Sequence, residues 1–213
     1  MNKHDNTIAI RARWTKSGIP TPQMLIDAAA AGMVSRKDEP YGEFVEEIDV
    51  PRAKSFLKKM IKYGHDSVLE HVVFQFWLSM SRVASHQLVR HRMASYTQMS
   101  LRQERDLSIE DFVIPPEIKD EDREEWKQDI QATIDRYRKW LDKGYDIDTA
   151  RRRISQDART DLVMTINARS LRNFFDLRAK HDADFEIREV ARKMYKLIQE
   201  EELSFLFEDI GFD

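Results

Sequence analysis

Residues 90–102, Arg-His-Arg-Met-Ala-Ser-Tyr-Thr-Gln-Met-Ser-Leu-Arg, concentrate groups that hold anions. Guanidinium forks at Arg90, Arg92 and Arg102 bind phosphate oxygens in bidentate fashion, and the hydroxyls of Ser95, Tyr96, Thr97 and Ser100 can complete such a shell. The surrounding composition supports this. No acid stands between Glu70 and Glu104, whereas 38 acids in 213 residues would place about six in those 33 positions. The same stretch carries Arg82, His71, His86 and His91. A carboxylate among these forks would quench them, so the pattern points to a site for phosphorylated ligands.

A solvated basic face or a nucleic-acid patch would also be rich in arginine. Met93, Ala94, Met99 and Leu101 are interleaved with the cations, which favours a pocket or an interface over open surface. A formal net charge of -3 with 34% charged residues gives no broad basic footprint, so nucleic acid is not the expected partner. The absence of cysteine excludes disulfides, thiolate metal sites and a thiol nucleophile. Ser100 has no general base beside it in sequence and reads as a phosphate ligand, not a nucleophile. His65, directly after Gly64, suits a helix C-terminus as well as it suits a cofactor. No His and carboxylate pair has metal-ligand spacing, and no metal is expected.

The elements that must position these groups follow from periodicity and punctuation. Thr21-Pro22 reads as an N-cap and first position of a helix over residues 22–31, with Gly32 as its stop. Pro51 opens a second helix on which Ala53, Phe56, Leu57, Met60 and Ile61 recur at helical spacing up to Gly64. Residues 72–80 alternate with a period of two and read as a strand. Residues 82–93 read as a helix and 94–102 as a loop or short extended piece, which puts the arginine motif at a helix end. After Pro115-Pro116, Trp126, Ile130, Ile134, Tyr137 and Leu141 mark a long helix that closes at Gly144. A short helix over 148–157, a buried strand over 162–166, a helix over 168–180 and a last one carrying Phe185, Val190, Ala191, Met194, Leu197 and Ile198 complete an α+β chain dominated by helix. With 41% hydrophobic residues, only six Gly and six Pro, and no repeat, the expectation is a single domain over 1–213. No apolar signal core or membrane span is visible, so the cytoplasm is the default.

Three blocks in order resemble the flavin-dependent thymidylate synthase family. Arg90-His91-Arg92, followed after seven residues by Ser100, matches the spacing of its signature, with Ser95 and Arg102 in register. Gly64-His65-Asp66-Ser67 with Leu69-Glu70-His71 resembles its upstream segment. Asn167-Ala168-Arg169-Ser170-Leu171, continuing to Asn173 and Leu177-Arg178, resembles its downstream one. The resemblance spans roughly residues 50–200. It implies an α/β arrangement of a central sheet with packed helices, a homotetramer with active sites between subunits, and transfer of a methylene from methylenetetrahydrofolate to C5 of dUMP. FAD and NADPH are the redox partners it implies. Carried over by position, His65, Ser67, Arg90, His91, Arg92, Gln98, Asn167, Arg169 and Asn173 fall on the FAD side. Gln87, Arg90, Gln98, Ser100, Arg102, Arg151 and Arg178 fall on the nucleotide side. Arg178 is the catalytic candidate, since a guanidinium beside uracil stabilises charge developing on N3 and its neighbouring carbonyls.

The chain departs from the family where the substrate is read. Thr97, Gln98 and Gln103 stand where the family favours Asn, Glu and Tyr. Ile154-Ser155 replaces Leu-Pro after Arg151, preceded by Arg152 and Arg153, and Asp182 follows His181 where a histidine is common. Gln98 can donate as well as accept, unlike a glutamate. Three readings therefore stand: synthesis of dTMP from dUMP, C5 methylation of another pyrimidine nucleotide such as UMP, or a non-catalytic nucleotide- or RNA-binding descendant using Arg151, Arg152 and Arg153 as a phosphate clamp.

Overall fold

The computed structural model describes residues 10–34, 40–103 and 106–212. Four strands, β1 (Arg11–Trp14), β2 (Val73–Ser81), β3 (Ala94–Gln98) and β4 (Arg159–Asn167), form one antiparallel sheet in the order β1-β2-β4-β3. Among the described residues eight helices surround it: α1 (Pro22–Val34), α2 (Tyr41–Glu47), α3 (Val50–Lys62), α4 (Arg82–Leu88), α5 (Arg123–Asp142), α6 (Ile147–Ala150), α7 (Ala168–Arg178) and α8 (Phe185–Glu200). The α+β expectation of a central sheet with packed helices holds.

The two central strands are set by their period of two. Phe74, Phe76, Leu78 and Met80 of β2 are buried and register with Ile166, Met164, Leu162 and Thr160 of β4, also buried. The opposite face is half open and mixed, with Gln75 and Thr165 beside Trp77 and Val163. There Thr15 Oγ1 donates to Gln75 Oε1 at 2.7 Å, and Gln75 Nε2 donates to Thr165 Oγ1 at 2.9 Å. Beneath the sheet the aromatic rings of Phe74, Phe76, Phe174, Phe175 and Phe207 anchor the main core. A second apolar cluster joins Ile130, Ile134 and Tyr137 of α5 to Leu107, Phe112, Ala150 and Ala158.

Several boundaries differ from the sequence expectation. Helix α1 does not stop at Gly32 but runs to Val34. A Cβ on Gly32 would lie 2.6 Å from Phe56 and 2.8 Å from Val68, so this glycine serves close helix packing and not termination. Helix α4 ends at Leu88 instead of continuing to residue 93. The chain reverses there because the Tyr96 hydroxyl donates to the carbonyls of Leu88 (3.1 Å) and His91 (2.9 Å), folding the next segment back as a strand. That segment, expected as a loop or short extended piece, is edge strand β3, paired with β4 from Ala94↔Ile166 to Gln98↔Leu162. The expected helix over 148–157 reduces to α6 and one tight turn at Arg151–Arg153, after which Asp157 accepts from Val113 N at 2.9 Å through its carbonyl. Strand β4 extends beyond the expected 162–166, its ends hidden in the sequence by Arg159, Thr160 and Asp161. Strand β1, helix α2 and the turn at Asp66–His71 have no counterpart in the sequence reading.

Two capping arrangements aim the site. Asn167 Oδ1 accepts from Ser170 N at 2.9 Å and starts α7 where β4 ends. Leu171, Phe174 and Phe175 bury one face of that helix, which leaves Arg169, Asn173 and Leu177 on the open side. Ser81 Oγ caps α4 through Ala84 N at 3.1 Å, and Ser81 is itself held by the buried Glu186 carboxylate, which accepts from Ser81 N at 2.6 Å and bonds its Oγ at 2.5 Å. Burial pushes the Glu186 pKa up, against the opposing effect of the Ser81 hydrogen bonds.

Candidate active site

The turn after α4 and the open face of α7 meet across a cleft of about 480 Å³. Arg90, His91, Arg92 and Met93 form one wall. Arg169, Ser170, Asn173, Leu177 and Arg178 form the other, with Glu70 at the rim. Four guanidiniums thus converge, one from each of Arg90, Arg92, Arg169 and Arg178, beside two exposed apolar side chains, Met93 and Leu177. A neighbouring hollow of about 340 Å³ continues past Arg92 and Met93 to Ser95 and Asn167.

His91 is held from two sides. Its Nε2 accepts from Arg178 Nε at 3.2 Å, and its ring stands edge-on to Phe174 with centroids 5.0 Å apart. Burial, reinforced by the charge of Arg178, lowers its pKa from 6.5 to about 4, so the imidazole is neutral at physiological pH. Tyr96, which fixes the His91 carbonyl, has its hydroxyl pushed up to about 12 by burial and stays a donor.

Of the residues expected at the site, Arg90, His91, Arg92, Arg169, Asn173 and Arg178 come together in the cleft. Asn167 lines the adjoining hollow, with its side-chain oxygen engaged in capping α7. Ser100, Arg102 and Arg151 form a separate exposed group at the other end of β3. There Asp148 Oδ1 receives Arg102 Nε at 2.7 Å and Arg151 Nη2 at 2.9 Å, while Ser100 Oγ accepts from Arg102 N at 3.3 Å. Gln98 lies on the inner face of β3, its amide nitrogen donating to Ser85 Oγ at 3.0 Å and Thr160 Oγ1 at 3.1 Å. Gln87 sits half-buried on α4. His65 and Ser67 lie at the start of the Asp66–His71 turn, outside the walls of the cleft.

The sequence reading missed Glu70 as a site residue. Its Oε1 receives Arg169 Nη1 at 2.5 Å, so the acid that opens the acid-free stretch closes on an arginine of α7. The signal was its position at the edge of that stretch; Glu104, at the other edge, lies outside the described residues. Among the described residues no group of three His, Cys, Asp or Glu is placed to hold a metal ion, and no helix is long and apolar enough to cross a membrane.

A four-stranded antiparallel sheet packed by helices, with a cationic cleft at a strand-to-helix junction, defines an α+β protein suited to phosphorylated ligands. The family described as "Thymidylate synthase complementing protein" matches residues 16–202. The flavin-dependent thymidylate synthase of Pyrococcus abyssi is 43% identical over 180 residues, covering 81% of this chain and 73% of its own length. That of Geobacter sulfurreducens is 38% identical over 162 residues, 74% of this chain and 69% of its own. The chain therefore belongs to the flavin-dependent thymidylate synthase family and is an enzyme of that type. The fold agrees with two crystal structures. Thymidylate synthase X of Helicobacter pylori, with FAD and dUMP, superposes with a TM-score of 0.75 at 24% identity over 94% of this chain and 98% of its own. The UMP/dUMP methylase PolB of Streptomyces cacaoi, with 5-Br dUMP, superposes with a TM-score of 0.78 at 20% identity over 95% and 96%.

Proposed function

We propose that this chain methylates dUMP at C5 to give dTMP, with FAD bound in the arginine-lined cleft, methylenetetrahydrofolate as the one-carbon donor and NADPH as the reductant. The observation that carries it is the convergence of Arg90, Arg92, Arg169 and Arg178 with Asn173 in one cleft, in a chain whose relatives carry that activity in their name. The cleft fits the cofactor's chemistry. Its guanidiniums outnumber the Glu70 carboxylate, which suits a pyrophosphate, and Met93 and Leu177 offer apolar surface for a flat ring. Arg90, Arg92, Arg169 and Asn173 would hold it, with Asn167 at the adjoining hollow, while His91 is turned to Arg178 and His65 and Ser67 lie outside the cleft walls. When bound, reduced flavin would supply the hydride equivalent that completes the methyl group.

The chain's own residues carry the rest. Arg178 donates to the uracil edge and stabilises negative charge on N3 and the neighbouring carbonyls, which raises the nucleophilicity of C5. A chain with no cysteine offers no thiol for a covalent adduct, so this polarisation stands in for nucleophilic attack. Ser100, Arg102 and Arg151 bind the nucleotide phosphate, while Gln98, turned inward to Ser85 and Thr160, supports β3 from within.

The phosphate group and the cleft lie at opposite ends of β3, whose five residues alone span on the order of 14 Å. That separation supports a site completed by a second copy, the Ser100, Arg102 and Arg151 group of one chain facing the Arg178 cleft of another, as in the proposed homotetramer. Edge strand β3 and the half-open sheet face bearing Trp77 and Val163 give such an assembly surface to cover.

Arg178→Lys tests the assignment. It keeps a charge but loses the planar fork, so the variant should bind FAD, giving a yellow protein, yet release no tritium from C5-tritiated dUMP. Full release by the variant would remove Arg178 from the reaction, and release from UMP in place of dUMP would reassign the substrate.

A further inference from the structure

Resting on the reading of the cleft above, we infer that His91 is a positioning residue for Arg178, holding the guanidinium through its Nε in the orientation that polarises the pyrimidine. The Arg178 Nε to His91 Nε2 hydrogen bond, 3.2 Å long, requires a lone pair on Nε2. A neutral imidazole that accepts there carries its hydrogen on Nδ1, so the bond fixes the tautomer as well as the contact. The neutral state is built in by burial and by the adjacent guanidinium.

The acceptor is itself immobilised. Phe174, one turn before Arg178 on α7, meets the imidazole edge-on at an interplanar angle of 81°, and the Tyr96 hydroxyl clamps the His91 carbonyl at 2.9 Å. Phe174 is fully buried, so the ring it supports has a fixed platform. Anchoring an arginine through Nε leaves its two terminal nitrogens as the fork presented to a ligand, and it sets the plane of that fork. Arg90, Arg92 and Arg169 line the same cleft and would repel an unanchored Arg178 guanidinium. His91 counters this with an uncharged acceptor, where a carboxylate would neutralise the charge that the chemistry needs.

The first arm of the test is spectroscopic and uses the full chain labelled with 15N-histidine. His91 Nε2 should resonate as an unprotonated acceptor near neutral pH and shift in Arg178→Lys; a protonated Nε2, or no response to that substitution, overturns the inference. The second arm compares His91→Ala with His91→Gln, both loaded with FAD, by release of tritium from dUMP. His91→Ala should retain FAD and a KM for dUMP within a few-fold of the parent while kcat falls about a hundredfold. His91→Gln, whose amide oxygen can accept from Arg178, should recover at least tenfold of that loss. Equal loss in the two variants, loss that tracks FAD content, or full kcat in His91→Ala would each defeat the positioning role. A parent enzyme that releases no tritium defeats the proposed function instead, and the Nε2 resonance still decides the pairing.

Discussion

Glu70→Gln should tighten FAD binding. In the folded chain the Glu70 carboxylate occupies Arg169 at 2.5 Å, with the two side chains 43% and 54% exposed. A phosphate arriving at Arg169 must displace this carboxylate and then lie beside it. An ion pair this open to solvent is worth about 0.2–1 kcal/mol, and the repulsion between neighbouring anions in water-like surroundings adds about 1 kcal/mol at roughly 4 Å. Glutamine removes the charge while its amide oxygen still accepts from Arg169, so the arginine keeps its place. The gain of about 1–2 kcal/mol corresponds to a fivefold to thirtyfold lower Kd. Titrating FAD into the apo-protein and following its fluorescence measures this directly. Because the effect is electrostatic, the advantage should shrink between about 50 mM and 500 mM salt as the screening length contracts. An unchanged or weaker affinity would show that Glu70 supports Arg169 and does not compete for it, and a gain insensitive to salt would refute the electrostatic account.

Asp148→Asn should act in the same direction at the other cluster: with Asp148 Oδ1 no longer charged against Arg102 and Arg151, the KM for dUMP should fall about threefold to tenfold, and a rise would mean that Asp148 holds the arginines in position. Gly32→Ala forces a methyl to within 2.6 Å of Phe56, and overpacking of this kind costs about 1–3 kcal/mol; the urea midpoint should drop, and an unchanged midpoint would show that α1 shifts freely against α3. His91 also makes stability depend on pH. Its folded pKa is about 4 against an ordinary 6.5, so between those values the unfolded chain holds the proton that the folded chain refuses. Its contribution is therefore complete above 6.5 and is lost as pH falls towards 4, with burial and then the charge of Arg178 opposing the proton. Denaturant titrations at several pH values should show this slope in the parent chain and a flatter one in His91→Gln; identical slopes would place the depression elsewhere.

Part of the grouping in the candidate site was legible because the residue types suited to anions are visible as types. The arginines, the missing acids and the hydroxyls are visible without coordinates, and Arg90, His91 and Arg92 do meet Arg169, Asn173 and Arg178. What the one-dimensional pattern could not carry were distant pairings. Glu70 and Arg169 are 99 positions apart, and Arg178 and His91 are 87 apart. Strand β3 was legible only as a loop or short extended piece because its alternation sets exposed Ser95 and Thr97 against half-buried Ala94, Tyr96 and Gln98, a contrast in burial with little contrast in hydropathy. The end of α4 was hidden for a related reason: no glycine or proline marks it, and the tertiary bonds from Tyr96 do the work that a breaker would. Gly32 is the converse case, since a glycine that looks like a stop is used for contact.

Both cationic clusters share one electrostatic design, and it bears on how they take a ligand. At the cleft Glu70 bonds Arg169; at the far end of β3 Asp148 bridges Arg102 and Arg151. A carboxylate is a weaker and less charged copy of a phosphate, so each cluster carries a tethered stand-in for the group it is proposed to bind. At the far cluster Asp148 also keeps two guanidiniums close together in the absence of ligand, where their mutual repulsion would otherwise splay them. The stand-in also raises the threshold for binding: a ligand with one weakly charged oxygen gains little by exchange, whereas a phosphate or pyrophosphate with several acceptors displaces the carboxylate at a profit. Selectivity for phosphorylated ligands then arises from competition within the chain, and neutralising either carboxylate should lower that selectivity along with the Kd. Inorganic phosphate should accordingly inhibit Glu70→Gln and Asp148→Asn at lower concentrations than the parent enzyme, and equal inhibition of all three would show that the carboxylates are passive.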